Sequence, residues 1–263
     1  MAQFSPKSAQ SDRSGSDQAD TKNSLMIPIA IIIGFGFISL AIFFQGSNSS
    51  AGTLPNLSER PPAFQNQPVR AEEIRPITAE DNIRGNPNAP IVILEYSDYD
   101  CPFCKHFHET MNLIMENYGP TGQVAWVYRH NPIEQLHPSA TFVAMSAECV
   151  AEVGGNEAFW TFSDLVFNER GRAEPTNLTR LHEFAERAGA DRRLYQECVD
   201  SERTLERVRA DISDAQKAGA IGSPHSLLIV GDQIAQIPGS ESFATLSIMI
   251  ENLLEQLDIT IES

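Results

Sequence analysis

The sequence predicts an α/β protein with an inserted helical subdomain, preceded by a single N-terminal transmembrane helix. Three observations carry this reading. Leu25 to Phe44 runs for twenty residues without a charge. The apolar run Ile91–Leu94 leads into a helical pattern in which Phe103, Phe107, Met111, Ile114, Met115 and Tyr118 recur at spacings of three and four. A long stretch of helical character, 137–218, then separates that unit from two further strand-like runs. Strand–helix–strand, helical insertion and strand–hairpin–helix is a mixed α/β plan.

The chain has 263 residues with 19 Lys+Arg against 35 Asp+Glu, a formal net charge of −16, and 41% of its residues are hydrophobic. Such an acidic balance excludes nucleic acid as a partner, because its phosphates would be repelled. Apolar content near the globular average excludes a wholly disordered chain. Four cysteines are too few for a disulfide-dense miniature scaffold. The charge is unevenly placed: Lys7, Arg13 and Lys22 cancel Asp12, Asp17 and Asp20, so all of the excess lies beyond residue 44.

Taken in order, residues 1–24 read as a cytoplasmic tail and 25–44 as the membrane span. A helix of that length rises ~30 Å, the thickness of the hydrocarbon core. Basic residues precede the span, and the first one after it is Arg60. The positive-inside rule therefore puts the N-terminus in the cytoplasm and the remainder outside, a single-pass topology in the cell membrane. The competing reading is a cleaved signal peptide, which ordinarily has a shorter apolar stretch. The small residues at 47–52 are compatible with cleavage, but the uncleaved anchor is the favoured reading. Residues 45–70 are rich in Ser, Asn, Gln, Gly and Pro, the composition of a flexible linker. The folded domain is expected over 71–263.

Within that domain, strands are expected at Ile91–Leu94, Val124–Tyr128, Ser226–Val230 and Gln233–Ile237, the last two joined by Gly231-Asp232. Gly119-Pro120 stops the helix that follows the first strand. The insertion, 137–218, carries breaks at Gly154-Gly155, Gly171 and Pro175, and Glu241–Leu257 closes the chain as an amphipathic helix.

Chemistry concentrates at Cys101-Pro102-Phe103-Cys104. Two intervening residues on a helical turn bring the sulfurs within disulfide reach. Pro102 suits the first helical position, where its missing N–H costs nothing. Cys101 then sits at the helix N-terminus, where unpaired N–H groups and the macrodipole favour a thiolate. A stabilised thiolate makes the dithiol relatively stable and the disulfide a better oxidant. Cys104, one turn inward, is the expected resolving thiol. A structural disulfide or half a zinc site are the competing readings, and the absence of a second C-x-x-C weakens the zinc one. His106 and His108 extend the motif to C-x-x-C-x-H-x-H, but only Cys104 and His108 share a helical face, so no metal is expected.

These motifs resemble those of the DsbA-like thiol–disulfide oxidoreductases, thioredoxin-fold proteins with a helical insertion. The resemblance is carried by RGNPNAPIVILEYSDYDCPFCKHFH (84–108), VYRHNPIEQLHPSA (127–140), AECVAEVGGNEAFW (147–160) and GAIGSPHSLLIVG (219–231), and covers roughly 72–263. It implies that Pro224 is a cis-proline beside the redox cysteines, presenting backbone to an extended substrate. Ser223 stands where the family usually has Thr or Val, and Glu95 matches a buried acid that serves proton transfer near the resolving cysteine. The bland alternative for Glu95 is a surface strand residue. The site thus comprises Cys101, Cys104 and Glu95, with Ser223, Pro224, Pro102, Phe103 and His225 toward substrate.

Phe103 supplies neither charge nor hydrogen bond where the strongest oxidants of the family carry His. Asp98 and Asp100 lie near Cys101 in sequence and would disfavour its thiolate, whereas a protonated His225 would favour it. An oxidising but not extreme disulfide is the expectation. Cys149 and Cys198 are either two buried thiols or a pair; the resemblance implies a structural disulfide, as in relatives with cysteines at these places. Trp126, Trp160 and Phe162 read as core, and His130, His137 and His182 as non-catalytic. The resulting expectation is a monomeric, membrane-anchored enzyme outside the cytoplasm, needing no cofactor. It would introduce disulfides into reduced exported polypeptides and be reoxidised by a membrane redox partner. A reductase or isomerase on the same site, or a non-catalytic metal- or peptide-binding module, are the alternatives.

Overall fold

The central sheet grows from β2 (Ile91–Ser97) and β3 (Val124–His130), which pair in parallel with Ile91 opposite Val124 and Ser97 opposite His130. Both strands are buried on two faces, which is why they read as near-continuous apolar runs. The computed structural model describes residues 74–171 and 174–262. The expected tail, membrane span and linker therefore lie outside the described residues, and no helix within them is long and apolar enough to cross a membrane.

Helix α1 (Pro102–Tyr118) connects β2 to β3. It presents Cys104, Phe107, His108, Met111, Ile114 and Met115 inward. Burying a side chain such as Phe107 or Met111 contributes roughly 1.5–3 kcal/mol. Phe103, expected on the same face, is instead 64% exposed. β4 (His225–Val230) adds antiparallel to β2, and β5 (Gln233–Ile237) antiparallel to β4. The sheet order is β1-β3-β2-β4-β5.

The edge strand β1 (Asn82–Gly85), antiparallel to β3, is an element the sequence reading lacked. Four residues, Asn-Ile-Arg-Gly, carry no alternation long enough to register. Gly85 adopts φ +101°, and a Cβ there would fall 2.7 Å from Met115 Cε and 2.8 Å from the Val124 carbonyl oxygen. Only glycine fits that approach.

The insertion begins with α2 (Ala140–Glu169), which leaves helical geometry at Gly155 (φ 82°, ψ −177°) and so consists of two arms. The expected Gly154-Gly155 break is this kink, and the helix ends just before Gly171. A short 3-10 turn (Leu178–Arg180) leads into α3 (Leu181–Arg187), followed by α4 (Arg192–Asp200) and α5 (Leu205–Lys217). Asp191 caps α4 by accepting from the Leu194 N–H at 2.9 Å. A disulfide joins Cys149 of α2 to Cys198 of α4, with a Cα–Cα distance of 5.7 Å. Closing a loop of 49 residues in sequence separation is worth roughly 3–4 kcal/mol on the chain-entropy account. The chain ends in α6 (Phe243–Glu262), a few residues displaced from the expected 241–257.

The sheet has two dissimilar faces. On one, Ile91, Ile93 and Trp126 pack with α1, α2 and the insertion. On the other, Leu94, Tyr96, Val127 and Leu227 pack with Ala215 and Ala218 near the end of α5. There the fully buried Arg129 spends all five guanidinium N–H groups. It donates to Asp81 (2.8 and 3.1 Å), to Asp214 (2.6 Å) and to the carbonyls of Arg75 and Pro76 (3.0 and 3.1 Å). One side chain thereby fastens the segment before β1 to β3 and α5.

Candidate active site

The site lies where β2 ends, α1 begins and the loop before β4 approaches. Cys101 is the N-cap residue of α1 in extended geometry (φ −76°, ψ 127°), and Pro102 occupies the first helical turn. No side chain caps the helix, so its first N–H groups are left for the Cys101 sulfur. The Cys104 side chain and the N–H groups of Cys104 and Phe103 bond to that sulfur. They lower its pKa to about 6, against the opposing effects of burial and of the Asp98 charge. Cys104 is fully buried, and burial together with the Cys101 charge pushes its thiol well above the ordinary value. The two sulfurs are therefore sharply unequal: one a ready thiolate and leaving group, the other a thiol.

The turn preceding Cys101 is held by polar contacts that sequence reasoning left largely unseen. Asp98 accepts from the Asp100 and Ile133 N–H groups and from His137 Nδ1, each at 2.8 Å. Asp100 accepts from the Thr176 N–H at 2.7 Å and from the Ser139 hydroxyl. Of the two acids expected to oppose the thiolate, Asp98 does so, while Asp100 faces these donors. Arg170, just beyond α2, donates to the carbonyls of Asp100 (3.0 Å), Cys101 (2.8 Å) and Glu174 (2.7 Å). A cation after a helix looks like an ordinary cap in sequence; its reach back across 69 residues has no local signature.

Ser223-Pro224 is a cis peptide bond. The Ser223 carbonyl oxygen lies 3.3 Å from Cys101 Sγ. Ser223 Oγ donates to the Asn131 carbonyl at 2.7 Å, and Asn131 Nδ2 donates to Ser223 Oγ and the Gly222 carbonyl at 3.1 Å each. This side-chain clasp to the end of β3 fixes the loop against the cysteines. Phe103 beside Cys101 and Ile221 before the loop leave apolar side chains exposed at both borders, Ile221 at 89%.

Glu95 is wholly buried on the α1 side of β2. It accepts from Trp126 Nε1 at 2.9 Å. Burial raises its pKa to about 7, over the lowering influence of Ser97 and Trp126, and the nearby Cys101 charge adds to the rise. Such a carboxyl can hold or release a proton near neutrality.

His225 requires correction. It faces Tyr96 and donates from Nε2 to the Ala218 carbonyl oxygen at 2.9 Å, on the sheet face opposite Glu95. Burial lowers its pKa, so it stays neutral. Strand alternation turns it away from the site despite its adjacency to Pro224, and it gives the thiolate no charge.

The C-x-x-C-x-H-x-H arrangement does not converge. His106 is half-exposed near Glu109, while the buried His108 pairs through Nε2 with Asp164 at 2.7 Å. Elsewhere among the described residues, His130, Glu148 and Asp211 bring donor atoms within 4.8 Å of one another. Their oxygens are already engaged: Glu148 by His130 and Asn82 at 2.8 Å each and by Arg207, Asp211 by Arg75 (2.8 Å) and the His130 N–H (3.0 Å). Protein cations and N–H groups engage the two carboxylates of this cluster.

Residues 78–252 match the sequence profile of the Thioredoxin_4 family, described as thioredoxin. Among curated proteins, the chain is 31% identical over 144 residues to Na(+)/H(+) antiporter NhaA 3 of Salinispora tropica, covering 55% of this chain and 21% of that protein. It is also 31% identical over 161 residues to Na(+)/H(+) antiporter NhaA 1 of Mycolicibacterium gilvum, covering 60% and 25% respectively. The matches thus span a quarter or less of those relatives. Among solved structures, oxidised BdbD from Bacillus subtilis superposes with a TM-score of 0.61 at 21% identity, over 72% of this chain and 100% of that one. Wolbachia pipientis α-DsbA1 does so with 0.61 at 22%, over 72% and 98%, and Chlamydia trachomatis DsbA with 0.56 at 19%, over 73% and 96%. The chain belongs to the thioredoxin family, with the DsbA-like fold in which a helical insertion separates the two halves of the sheet.

Proposed function

We propose that the protein is a thiol–disulfide oxidoreductase that introduces disulfides into reduced polypeptides. The observation that carries this is the inequality of the two sulfurs at one helix N-terminus, set against a cis-proline loop. A substrate thiolate attacks Cys101 Sγ of the 101–104 disulfide. The S–S bond breaks, its electron pair goes to Cys104, and Cys104 takes up a proton. A second substrate thiolate then attacks the substrate sulfur of the mixed disulfide and expels Cys101, a good leaving group because its pKa is about 6. The substrate is oxidised by two electrons and the enzyme is left as the dithiol. The DsbA-named structural neighbours support the same reading.

The exposed Phe103 and Ile221 suit an unfolded, partly apolar polypeptide better than an acidic surface. Anchoring by residues 25–44, an N-terminus in the cytoplasm, a domain outside it, action as a monomer and reoxidation by a membrane redox protein complete the proposal. The test is trapping. A Cys104→Ser variant incubated with a reduced, unfolded polypeptide should accumulate mixed disulfides through Cys101, visible as reductant-sensitive adducts. Adducts absent, or formed equally by a Cys101→Ser variant, would contradict the assignment.

A further inference from the structure

Arg170, immediately after α2, is a buried cation none of whose hydrogen bonds goes to a carboxylate. It is 6% exposed. Nη1 donates to the carbonyls of Asp100 and Glu174 at 3.0 and 2.7 Å, and Nη2 to the Cys101 carbonyl at 2.8 Å. All three acceptors are backbone oxygens, and Nε has no partner among the described residues. Arg129 marks the contrast, since Asp81 and Asp214 neutralise it. Buried charges are ordinarily paired in that way, because taking one out of water is costly. The Asp100 carboxylate, next in the chain to Cys101, turns its oxygens instead to the Thr176 N–H (2.7 Å) and the Ser139 hydroxyl.

A guanidinium held by carbonyls keeps its full charge, and this one is fastened to the residue that carries the nucleophile. Burial works against the charged form of Arg170, while the negative charges of Asp100, Cys101, Cys104 and Asp98 favour it. Attraction between two charges is mutual, so the guanidinium favours the Cys101 thiolate as the thiolate favours the guanidinium. Asp98 and Asp100 act in both redox states alike. Only the cysteine sulfurs change charge with redox state: in the disulfide the guanidinium has no thiolate to face, and in the dithiol it does. The other charged or titratable groups around the pair are His137 on Asp98, the buried Glu95, and Lys105 of α1, whose ammonium bonds the Phe167 carbonyl.

We infer that Arg170 is a positioning residue of the redox pair: its guanidinium fixes the Cys101 carbonyl at the start of α1 and sets a positive charge beside the sulfur, which stabilises the reduced state and makes the 101–104 disulfide a stronger oxidant. Resting on the thiol–disulfide reading above, this role adds a second source of oxidising power. The helix N-terminus is local to the C-x-x-C motif, whereas Arg170 comes from the insertion, 69 residues away. Through Arg170, and through the Thr176 N–H on Asp100, the insertion holds the turn from which the nucleophile projects. Reduction by glutathione balances as two glutathione thiols giving one glutathione disulfide, the Cys104 thiol, the Cys101 thiolate and one released proton. Among these products Arg170 acts on the thiolate.

The full chain is compared with Arg170→Gln, which keeps an amide donor for the carbonyls and removes the charge, and with Arg170→Lys, which keeps the charge and loses the planar fork. Two quantities are read by mass spectrometry of the folded proteins: the pH midpoint of Cys101 alkylation by iodoacetamide, and the equilibrium constant with glutathione at pH 7. In Arg170→Gln the midpoint should rise by roughly half a pH unit, and the equilibrium constant for reduction should fall about threefold. Arg170→Lys should recover most of both changes. Arg170→Met carries the same expectations as Arg170→Gln and serves if the latter folds poorly, because an apolar side chain of similar volume is often tolerated in place of a buried ion. A midpoint and an equilibrium constant unchanged in the neutral variants, or displaced equally by Lys and by Gln, would overturn the role and leave Arg170 as a fastening of the turn alone. Wild-type protein that fails to exchange with glutathione at all would instead sink the oxidoreductase reading.

Discussion

A Cys101→Ser variant is expected to show no measurable thiol–disulfide exchange, because the sulfur it removes is both the atom attacked and the later leaving group. The wild-type counterpart is a titration. Iodoacetamide should alkylate Cys101 of the reduced protein with a pH midpoint near 6, where the N–H groups of α1 and Cys104 place its thiolate. At pH 7 such a thiol is about nine-tenths ionised, against about 1% for one titrating near 9, while lower intrinsic nucleophilicity offsets part of the gain. Cys104, buried and pushed upward, should remain unmodified at that pH. Mass spectrometry of the alkylated peptide separates the two. A midpoint near that of an ordinary thiol would mean that the helix N-terminus does not act on Cys101. The linkage has a definite sign: with a lowered native pKa, the Cys101 thiolate adds stability to the reduced fold above the ordinary thiol value. That contribution is lost as pH falls through about 6.

Replacing Arg129 with Met is expected to be the most destabilising single change away from the cysteines, by roughly 3–5 kcal/mol. Removing the guanidinium leaves the buried Asp214 without its cation, Asp81 with only the half-exposed Arg75, and two carbonyls without donors. Burial alone would raise the Asp81 carboxyl, but Arg129, joined by the Thr78 N–H and Arg75, more than offsets it and holds it below the ordinary value. In wild type, Asp81 therefore contributes stability that is present above the ordinary carboxyl pKa and lost as pH falls through the lowered one. In Arg129→Met the Thr78 N–H and Arg75 still oppose burial at Asp81, so the loss of stability toward low pH should shrink. Urea unfolding at pH 4 and pH 7 reads both effects. Equal stability of variant and wild type would show that the network compensates fully by rearrangement.

Local features of the site were open to the sequence and distant ones were not. Cys101 at a helix start, Pro102 in its first turn and the inward Cys104 follow from a two-residue spacing and the apolar period after it. Glu95 extends an apolar strand with a single acid, which marks it as unusual before any contact is known. Arg129 sits in a run that reads as a strand ending in charge, and nothing nearby announces that Asp81 and Asp214 converge on it. Arg170 and Asn131 are similar: their partners are brought close only by the folded insertion and the cis-proline loop. His225 shows the opposite failure. Adjacency to Pro224 suggested the site, whereas strand parity, with Ser226 paired to Glu95 and His225 to Tyr96, assigns it to the other face. β1 was invisible because its pairing with β3, and not its own composition, makes it a strand.

If the thiolate-stabilising geometry at Cys101 makes the 101–104 disulfide an oxidant, its reduction potential shows it. Equilibrating the full chain with glutathione redox buffers at pH 7 and counting free Cys101 and Cys104 thiols gives the reduction potential directly. The expected value lies between about −200 and −120 mV, well above the about −270 mV of thioredoxin. A value at or below about −270 mV would contradict the account and assign the same two sulfurs to a reductase.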